Sequence, residues 1–354
     1  MKQMLCIGCY TPAPQGDREV SQQGHGHGVQ LCAFEDGQIE SLSTLPMINP
    51  SYLCIRPQGD KMYAVSEITY KGSAPGGMIA QIGLRRDGSL ALENLLPTGG
   101  CDPCHAALSP DGRWLSVANY TDGKVSLFRC SPSGDLGHPQ IFQLEGCGPN
   151  PDRQSSAHAH STLFAPDGHT FYVADLGSDR LAAFYYNSTE VCRRESDDCL
   201  LPPGRGPRHM QWGRNGTLYV VNELFSTVCC YRVTGGQFAL VQELSTLPAD
   251  FTGPSAAADL HSSLDGQFLY ASNRGHNSII AYKIRGDGSL SVLDWFPCRG
   301  ETPRSFAIDP AGCYLLAANQ DSDAITIFAI ASDGCLQFRG QYPCGSPSCL
   351  QFVV

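Results

Sequence analysis

The residues best suited to chemistry in this chain are three arginines, a histidine and a glutamate: Arg208 in GPRHM, Arg274 in SNRG, Arg304 in TPRSF, His160 in AHST and Glu223 in VNEL. A guanidinium presents a planar fork of donors that matches a carboxylate or a phosphate. It also holds an oxyanion as charge develops on a reacting carbonyl. Glutamate and histidine each take a proton from water near neutral pH when their surroundings tune them. The sequence has no GxSxG elbow and no obvious nucleophile placed beside a base. The simplest reaction for this set is attack by water, or by an internal carboxylate, on an activated carbonyl or alkene of a small anion.

These residues are far apart along the chain, so a repeat must gather them. Turn glycines at Gly59, Gly112, Gly168, Gly216, Gly266 and Gly312 recur with a period of about 50 residues, as propellers and related repeats do. Each unit runs from an apolar strand (TLFAP, FAIDP) through the glycine turn to a second strand (LYVVN, YLLAAN). A third strand (SIIAYKI, AITIFAI) and a DG or SG turn lead to a fourth. Four antiparallel strands per unit describe a propeller blade. The N-terminal LCIGCYT matches LSVANYT, a second strand, whereas the C-terminal GSPSCLQFVV is a first strand that stops. Each end supplies what the other lacks, which closes the ring and leaves no open edge. The expected fold is all-β: one seven-bladed propeller domain of four-stranded antiparallel blades over residues 1–354.

In such a blade the first strand lines the central channel. Eight residues before each turn glycine lie Ser51, Cys104, His160, Arg208, Ala258 and Arg304, with Ser348 in the split blade. Seven residues after it lie Ser66, Asn119, Asp175, Glu223, Asn273 and Asn319, with Cys9 in the split blade. The two strands form a hairpin, so both rings lie at one end of the channel. One residue further on are Glu67, Tyr120, Arg274 and Gln320. The long connections, among them TPAPQGDREVSQQGHGHG and EGCGPNPDRQSSAHA, fall on that same face. Long loops on one face of a rigid scaffold commonly carry binding and catalysis. We therefore expect a site of His160, Arg208, Glu223 and Arg274, with Arg304, Asp175, Asn273 and Gln320 as further substrate contacts.

The stretches AHSTLFAPDG, GRGPRHMQWGRNG, AADLHSSLDGQFLYASNRG and GETPRSFAIDPAG resemble the cycloisomerase-like 6-phosphogluconolactonases over nearly the whole chain. That family is a seven-bladed propeller related to the 3-carboxy-cis,cis-muconate lactonising enzymes. The resemblance implies metal-independent hydrolysis of 6-phosphogluconolactone in the oxidative pentose phosphate pathway. In the muconate relatives the catalytic set is a His, two Arg and a Glu, which fall by motif on His160, Arg208, Glu223 and Arg274. The long loop with QGHGHG and the cysteine content depart from the lactonases. A related lactonase, a carboxymuconate-type cyclase acting on another small anion, and a non-catalytic binding platform stay open as alternatives. The base is left open between Glu223 and His160.

Composition bounds the rest. A net charge of −10 argues against a nucleic-acid partner but allows a small anion at a local arginine cluster. No apolar run reaches membrane-spanning length, and the N-terminus shows no secretory signal, so no membrane partner and a cytoplasmic location are expected. The 17 cysteines are irregularly spaced and read as small buried hydrophobes, with the CxxC forms CIGC and CDPC coincidental. His25 and His27, like His158 and His160, stand two apart as metal ligands on a strand would. No third and fourth ligands follow in a clear pattern, so no metal and no cofactor are expected. His105 and His209 are expected to pack or to support site residues from behind rather than react. The oligomeric state is not legible.

Overall fold

The structure, a computed structural model, describes residues 2–85, 87–214 and 216–353. Among these residues, seven antiparallel sheets carry four or more strands, and an eighth, small sheet has three. The sheet from Pro103–Leu108, Trp114–Asn119, Lys124–Cys130 and Leu136–Gln143 shows the pattern, its strands pairing in chain order. The tight turn between its first two strands needs a left-handed residue, and Gly112 supplies it with φ of 68°. Gly59, Gly168, Gly216, Gly266 and Gly312 do the same in their own sheets.

Burial grades across each sheet. Second strands such as Trp114–Asn119, Thr170–Asp175 and Thr217–Asn222 are buried at every position. Outermost strands such as Gln38–Leu45 and Leu136–Gln143 are mostly open to solvent. A second strand packed on both faces reads as a continuous apolar run, whereas an outer strand exposes much of its surface.

The core is divided into layers between sheets. Val65 and Tyr63 pack on Leu115 and Val117; Trp114 and Val125 on Phe171 and Phe184; Tyr172 and Leu181 on Leu218 and Val220. The layers continue from Tyr219 and Val221 to Leu269 and Ile280, and from Tyr270 and Ile279 to Leu315 and Ala317. Leu316 and Ile325 then pack on Leu5, Ile7 and Phe34, which joins the last sheet to the first. Cys6, Val29 and Leu31 meet Met62 and Ala64, which joins the first to the second. Tyrosines bridge neighbours as well: the hydroxyls of Tyr63, Tyr219 and Tyr270 donate to the carbonyls of Gly134, Gly288 and Gly334 in the next sheet.

The chain ends meet in one sheet. Pro347–Val353 pairs with Gln3–Cys9, from Met4 opposite Val353 to Cys9 opposite Pro347. That C-terminal strand is the innermost of a sheet completed by Val29–Glu35 and Gln38–Leu45. The three-stranded sheet is built from loops, Arg18–Glu19, Tyr70–Lys71 and Ala74–Pro75.

Candidate functional site

The site side chains are aimed by β-bulges. The innermost strands slip register between Pro103 and His105, Ala159 and Ser161, Pro207 and His209, Ala257 and Leu260, and Pro303 and Ser305. The residues left out of the pairing are Cys104, His160, Arg208, Ala258 with Asp259, and Arg304. The split sheet slips at Gly8/Cys9, opposite Ser348. A bulge bends the strand and re-aims the extra residue. Repeated in adjacent sheets, it turns Cys104, His160 and Arg304 toward a common cavity of about 300 Å³, while Arg208 lies behind the cavity wall on Glu223. Glu67, Cys104, Tyr120, Arg153, His160, Glu223, Arg274 and Arg304 line that cavity, and Ser21 and Gln22 of the long N-terminal loop reach it as well. Its volume lies at the small end of the usual range for small-molecule sites, about 300–1,000 Å³.

Glu223 is the hub. Its Oε2 accepts from Arg208 Nε at 3.0 Å and lies 2.8 Å from Arg274 Nη2, an ion pair without hydrogen-bond alignment. Its Oε1 accepts from Arg153 Nη2 at 2.5 Å. Burial alone would raise this carboxyl, but Arg274, Arg208 and Arg153 override it and hold Glu223 well below the usual carboxylate range. Arg208 is only 2 % exposed. Its Nη1 donates to the Ala258 carbonyl at 2.6 Å. Burial, followed by the Arg274 and Arg304 charges, lowers it to about 10, so it stays a cation at neutral pH. Arg274 Nε donates to the Ala256 carbonyl at 3.2 Å. Arg153 also donates to the Tyr120 hydroxyl at 3.1 Å.

The opposite wall differs. Arg304 lies over the Tyr10 ring at 5.1 Å. Among the described residues it donates no hydrogen bond and forms no ion pair within 4 Å, so its fork is uncommitted. Glu67 is 4 % exposed and accepts from the Tyr10 hydroxyl at 2.9 Å. Burial raises its pKa, with Arg304 opposing. His160 is buried, and its Nδ1 has no hydrogen-bond partner among the described residues. Burial, followed by the charges of Arg208, His209, Arg304 and Arg274, keeps its imidazole neutral far below the usual histidine range.

The structure therefore brings His160, Arg208, Glu223, Arg274 and Arg304 together. It does not bring Asp175, Asn273 or Gln320 into the cavity lining. Asp175 caps the turn Leu176–Ser178, accepting from the His158 and Gly177 amides and from the Ser178 hydroxyl. Asn273 donates to the Thr246 carbonyl and to Ser278 Oγ. Gln320 donates to Asp321. The physical reason for the first two lies in the alternation of side chains along a strand. Asn119, Asn222, Asn273 and Asn319 occupy one position at the end of their second strands, and each side chain reaches Ser126, Thr227, Ser278 or Thr326 on the third strand. The next residue faces the cavity: Tyr120, Glu223, Arg274 and, in the second sheet, Glu67. Asn222 pairs with Pro207 as Asn119 pairs with Pro103. The hairpin at Gly216 is thus one residue shorter, which is why counting from the glycine set Glu223 beside the asparagines.

Two cavity residues carry no motif signal. Arg153 sits in a loop whose length marks the functional face, but nothing local separates it from its neighbours. Glu67 is visible in the sequence only as a residue beside the ring.

A second cavity of about 400 Å³ lies along the same innermost strands, lined among others by Tyr52, His105, His209, Asp259 and His261. His209 links the two cavities. Its Nδ1 donates to Asp259 Oδ1 at 2.7 Å, and its Nε2 accepts from Arg208 Nη1 at 3.3 Å. Burial and then the Arg208 charge lower it to about 4, which suits that neutral tautomer. His209 therefore supports Arg208 from behind, one of the two roles expected of it, whereas His105 stacks on Tyr52 at 4.1 Å.

The paired histidines separate. His158 stacks on Tyr120 and contacts its carbonyl through Nδ1, whereas His160 lines the cavity. His25 pairs with Asp323 at the surface. Among the described residues no group of three or more His, Cys, Asp or Glu is arranged to hold a metal ion. The CIGC and CDPC cysteines form no disulfides, and Cys9 faces Cys344 at 3.7 Å. No helix among the described residues is long and apolar enough to cross a membrane.

Comparison with known proteins agrees with this architecture. A family model described as "Lactonase, 7-bladed beta-propeller" matches residues 4–352. A 6-phosphogluconolactonase of Formosa agariphila is 34 % identical over 299 residues, covering 81 % of this chain and 84 % of that protein. One of Bacillus subtilis is 31 % identical over 267 residues, covering 74 % of each. The structure of a periplasmic gluconolactonase from Pseudomonas aeruginosa superposes with a TM-score of 0.90 at 28 % identity, covering 100 % of this chain and 99 % of that one. With the sheet repeat, the shared cavity and these matches in hand, the chain belongs to the 6-phosphogluconolactonase-like family of lactonase propellers.

Proposed function

We propose that this protein hydrolyses 6-phosphogluconolactone to 6-phosphogluconate. The scaffold is read as one closed seven-bladed domain over residues 1–354, with the joined chain ends completing the seventh blade. The observation that carries the reading is the division of labour among the cations. Arg153, Arg208 and Arg274 are fixed on Glu223, while Arg304 faces the same cavity uncommitted. Arg304 takes the anionic group of the substrate through its fork. The fixed guanidiniums stabilise the oxyanion of the tetrahedral intermediate, and their positions are set before substrate arrives.

Of the two candidate bases, the geometry favours His160. Both Glu223 oxygens are occupied by guanidinium groups. His160 lines the cavity as a neutral imidazole, the condition for accepting a proton from water as its oxygen attacks the carbonyl carbon. The ring C–O bond then breaks and the ring oxygen leaves as an alcohol. Glu223 serves as the anchor that keeps the arginines in register. The reaction as drawn needs no metal, and rates should survive exhaustive chelation. The odd number and irregular spacing of the 17 cysteines support a reducing, cytoplasmic setting, and the net charge of −10 disfavours nucleic acid as a partner.

A second reading is hydrolysis of the unphosphorylated gluconolactone, favoured by the likeness to the Pseudomonas gluconolactonase. A coupled assay with freshly made 6-phosphogluconolactone, beside unphosphorylated gluconolactone and carboxymuconate, separates the two. Strong preference for the phosphorylated lactone supports the first reading, and equal or reversed preference supports the second. Turnover of carboxymuconate alone points to a cyclase. No turnover of any of the three leaves a binding platform.

A further inference from the structure

The cavity holds two carboxyl groups in opposite electrostatic settings. Glu223 is surrounded by Arg153, Arg208 and Arg274 and stays ionised. Glu67, across the cavity, is buried on the wall that carries Arg304, accepts from the Tyr10 hydroxyl and interacts with the Ser51 side chain, with no guanidinium paired to it within 4 Å among the described residues. When one site sets two carboxyl groups in such different surroundings, the pair takes different roles, and the one not locked in ion pairs is free to carry and give up a proton. Resting on the lactonase reading above, we propose that Glu67 is the proton donor to the ring oxygen as the lactone opens.

The other groups lining the cavity are poorly suited to this step. Glu223 carries no proton to give. His160 is neutral and takes the proton of the attacking water. The Tyr120 hydroxyl accepts from Arg153, and burial raises its pKa. The Cys104 thiol points its proton at the His160 carbonyl, and burial raises it to a range where it does not act as an acid. Each guanidinium stays a cation. The step balances as follows. Water oxygen bonds to the carbonyl carbon and passes one proton to the His160 imidazole. The ring C–O bond breaks, and the departing oxygen takes the proton of Glu67. The Glu67 carboxylate and the His160 imidazolium then return to their starting states by exchange with solvent. The net change is one water consumed and one hydroxy acid formed.

The charged and titratable groups facing Glu67 are Arg304, Asp102, Tyr10 and Cys104. Burial has the largest effect and raises Glu67; Arg304, the Ser51 hydrogen bond and the Tyr10 hydrogen bond lower it, and Asp102 raises it. A donor acts only while protonated, so the rate falls as pH rises through this raised pKa.

The test measures kcat and KM for 6-phosphogluconolactone opening, and for unphosphorylated gluconolactone, from pH 5 to 8. The proteins are wild type, Glu67→Gln and Tyr10→Phe. We expect wild type to show a descending limb with rising pH. Glu67→Gln should lower kcat by about 10²–10⁴-fold, leave KM within about threefold and abolish the limb. Tyr10→Phe removes a bond that favours the carboxylate, so its limb should move to higher pH. Unchanged kcat in Glu67→Gln, or a lowered kcat with the limb intact, overturns the assignment while the lactonase reading stands. If Glu67→Gln fails to fold, the wild-type and Tyr10→Phe profiles decide, and a flat profile or an unmoved limb overturns it. A wild-type protein that opens neither lactone removes the reading and this donor together.

Discussion

Replacing Glu223 by glutamine removes the charge that three guanidiniums share while keeping the side-chain shape. At 3.0 Å from Arg208, a unit pair in surroundings of effective dielectric 20 attracts by about 5–6 kcal/mol. Desolvation offsets part of that in the wild type, but the variant leaves buried cations uncompensated, which costs about 3–5 kcal/mol. Arg153 is 41 % exposed in its side chain and is screened by water, so Arg208 and Arg274 carry most of this effect. With unfolding entropy of about 2.1 cal/mol/K per residue over 354 residues, the melting temperature should fall by about 4–7 °C. Turnover should fall as well, because the oxyanion donors lose their registration. Calorimetry and steady-state kinetics on the same samples read both. The pH dependence follows from the depressed pKa of Glu223. Its stabilisation is fully present above the unfolded carboxyl value of about 4.3. It is lost as pH falls through the lower folded value, so the gap between wild type and variant should be flat from about pH 5 to 8 and narrow in strong acid. Adding Arg274→Met to Glu223→Gln should cost less stability than the sum of the single changes, since it removes one of the stranded charges. An unchanged melting temperature with abolished turnover would refute the anchor reasoning and restore Glu223 as the base.

Other outcomes follow from the same geometry. His160→Gln should reduce kcat by about 10²–10⁴-fold, and wild-type activity should persist well below pH 6, failing only as His160 becomes protonated. Arg304→Met should raise KM for the phosphorylated lactone by about 10–100-fold, the equivalent of a charge-assisted hydrogen bond, and weaken inhibition by inorganic phosphate. Removing residues 347–354 strips the innermost strand from Gln3–Cys9. The exposed edge should turn the protein into an aggregating, non-cooperatively melting chain, visible by light scattering and calorimetry.

The repeat was legible because turn chemistry recurs: a glycine at positive φ stands in each of six hairpins, and the apolar strands around it keep their spacing. The split sheet was legible for the same reason, as LCIGCYT has the pattern of a second strand. Which residues face the cavity was only partly so. The bulges at Cys104, His160, Arg208 and Arg304 leave no mark in composition, yet counting back from the glycine found them because each bulge sits at the same place in its strand. Counting forward worked less well. Asp175 and Asn273 lie on the inter-strand side of their strands, and one short hairpin moved Glu223 into their column. Arg153 was beyond reach because a loop has no period. Glu67 was placed beside the ring, but its role was not legible because its character comes from burial beside Tyr10, fifty-seven residues away in sequence.

The most direct measurement is a crystal structure with the product, 6-phosphogluconate, bound. The phosphate should lie within about 3 Å of the Arg304 guanidinium, and the new carboxylate should face Arg208 and Arg274, with His160 and Glu67 on opposite sides of the former ring bond. Product seated instead in the cavity of Tyr52, His105 and His261, or on an outer face with Arg304 untouched, would contradict the account.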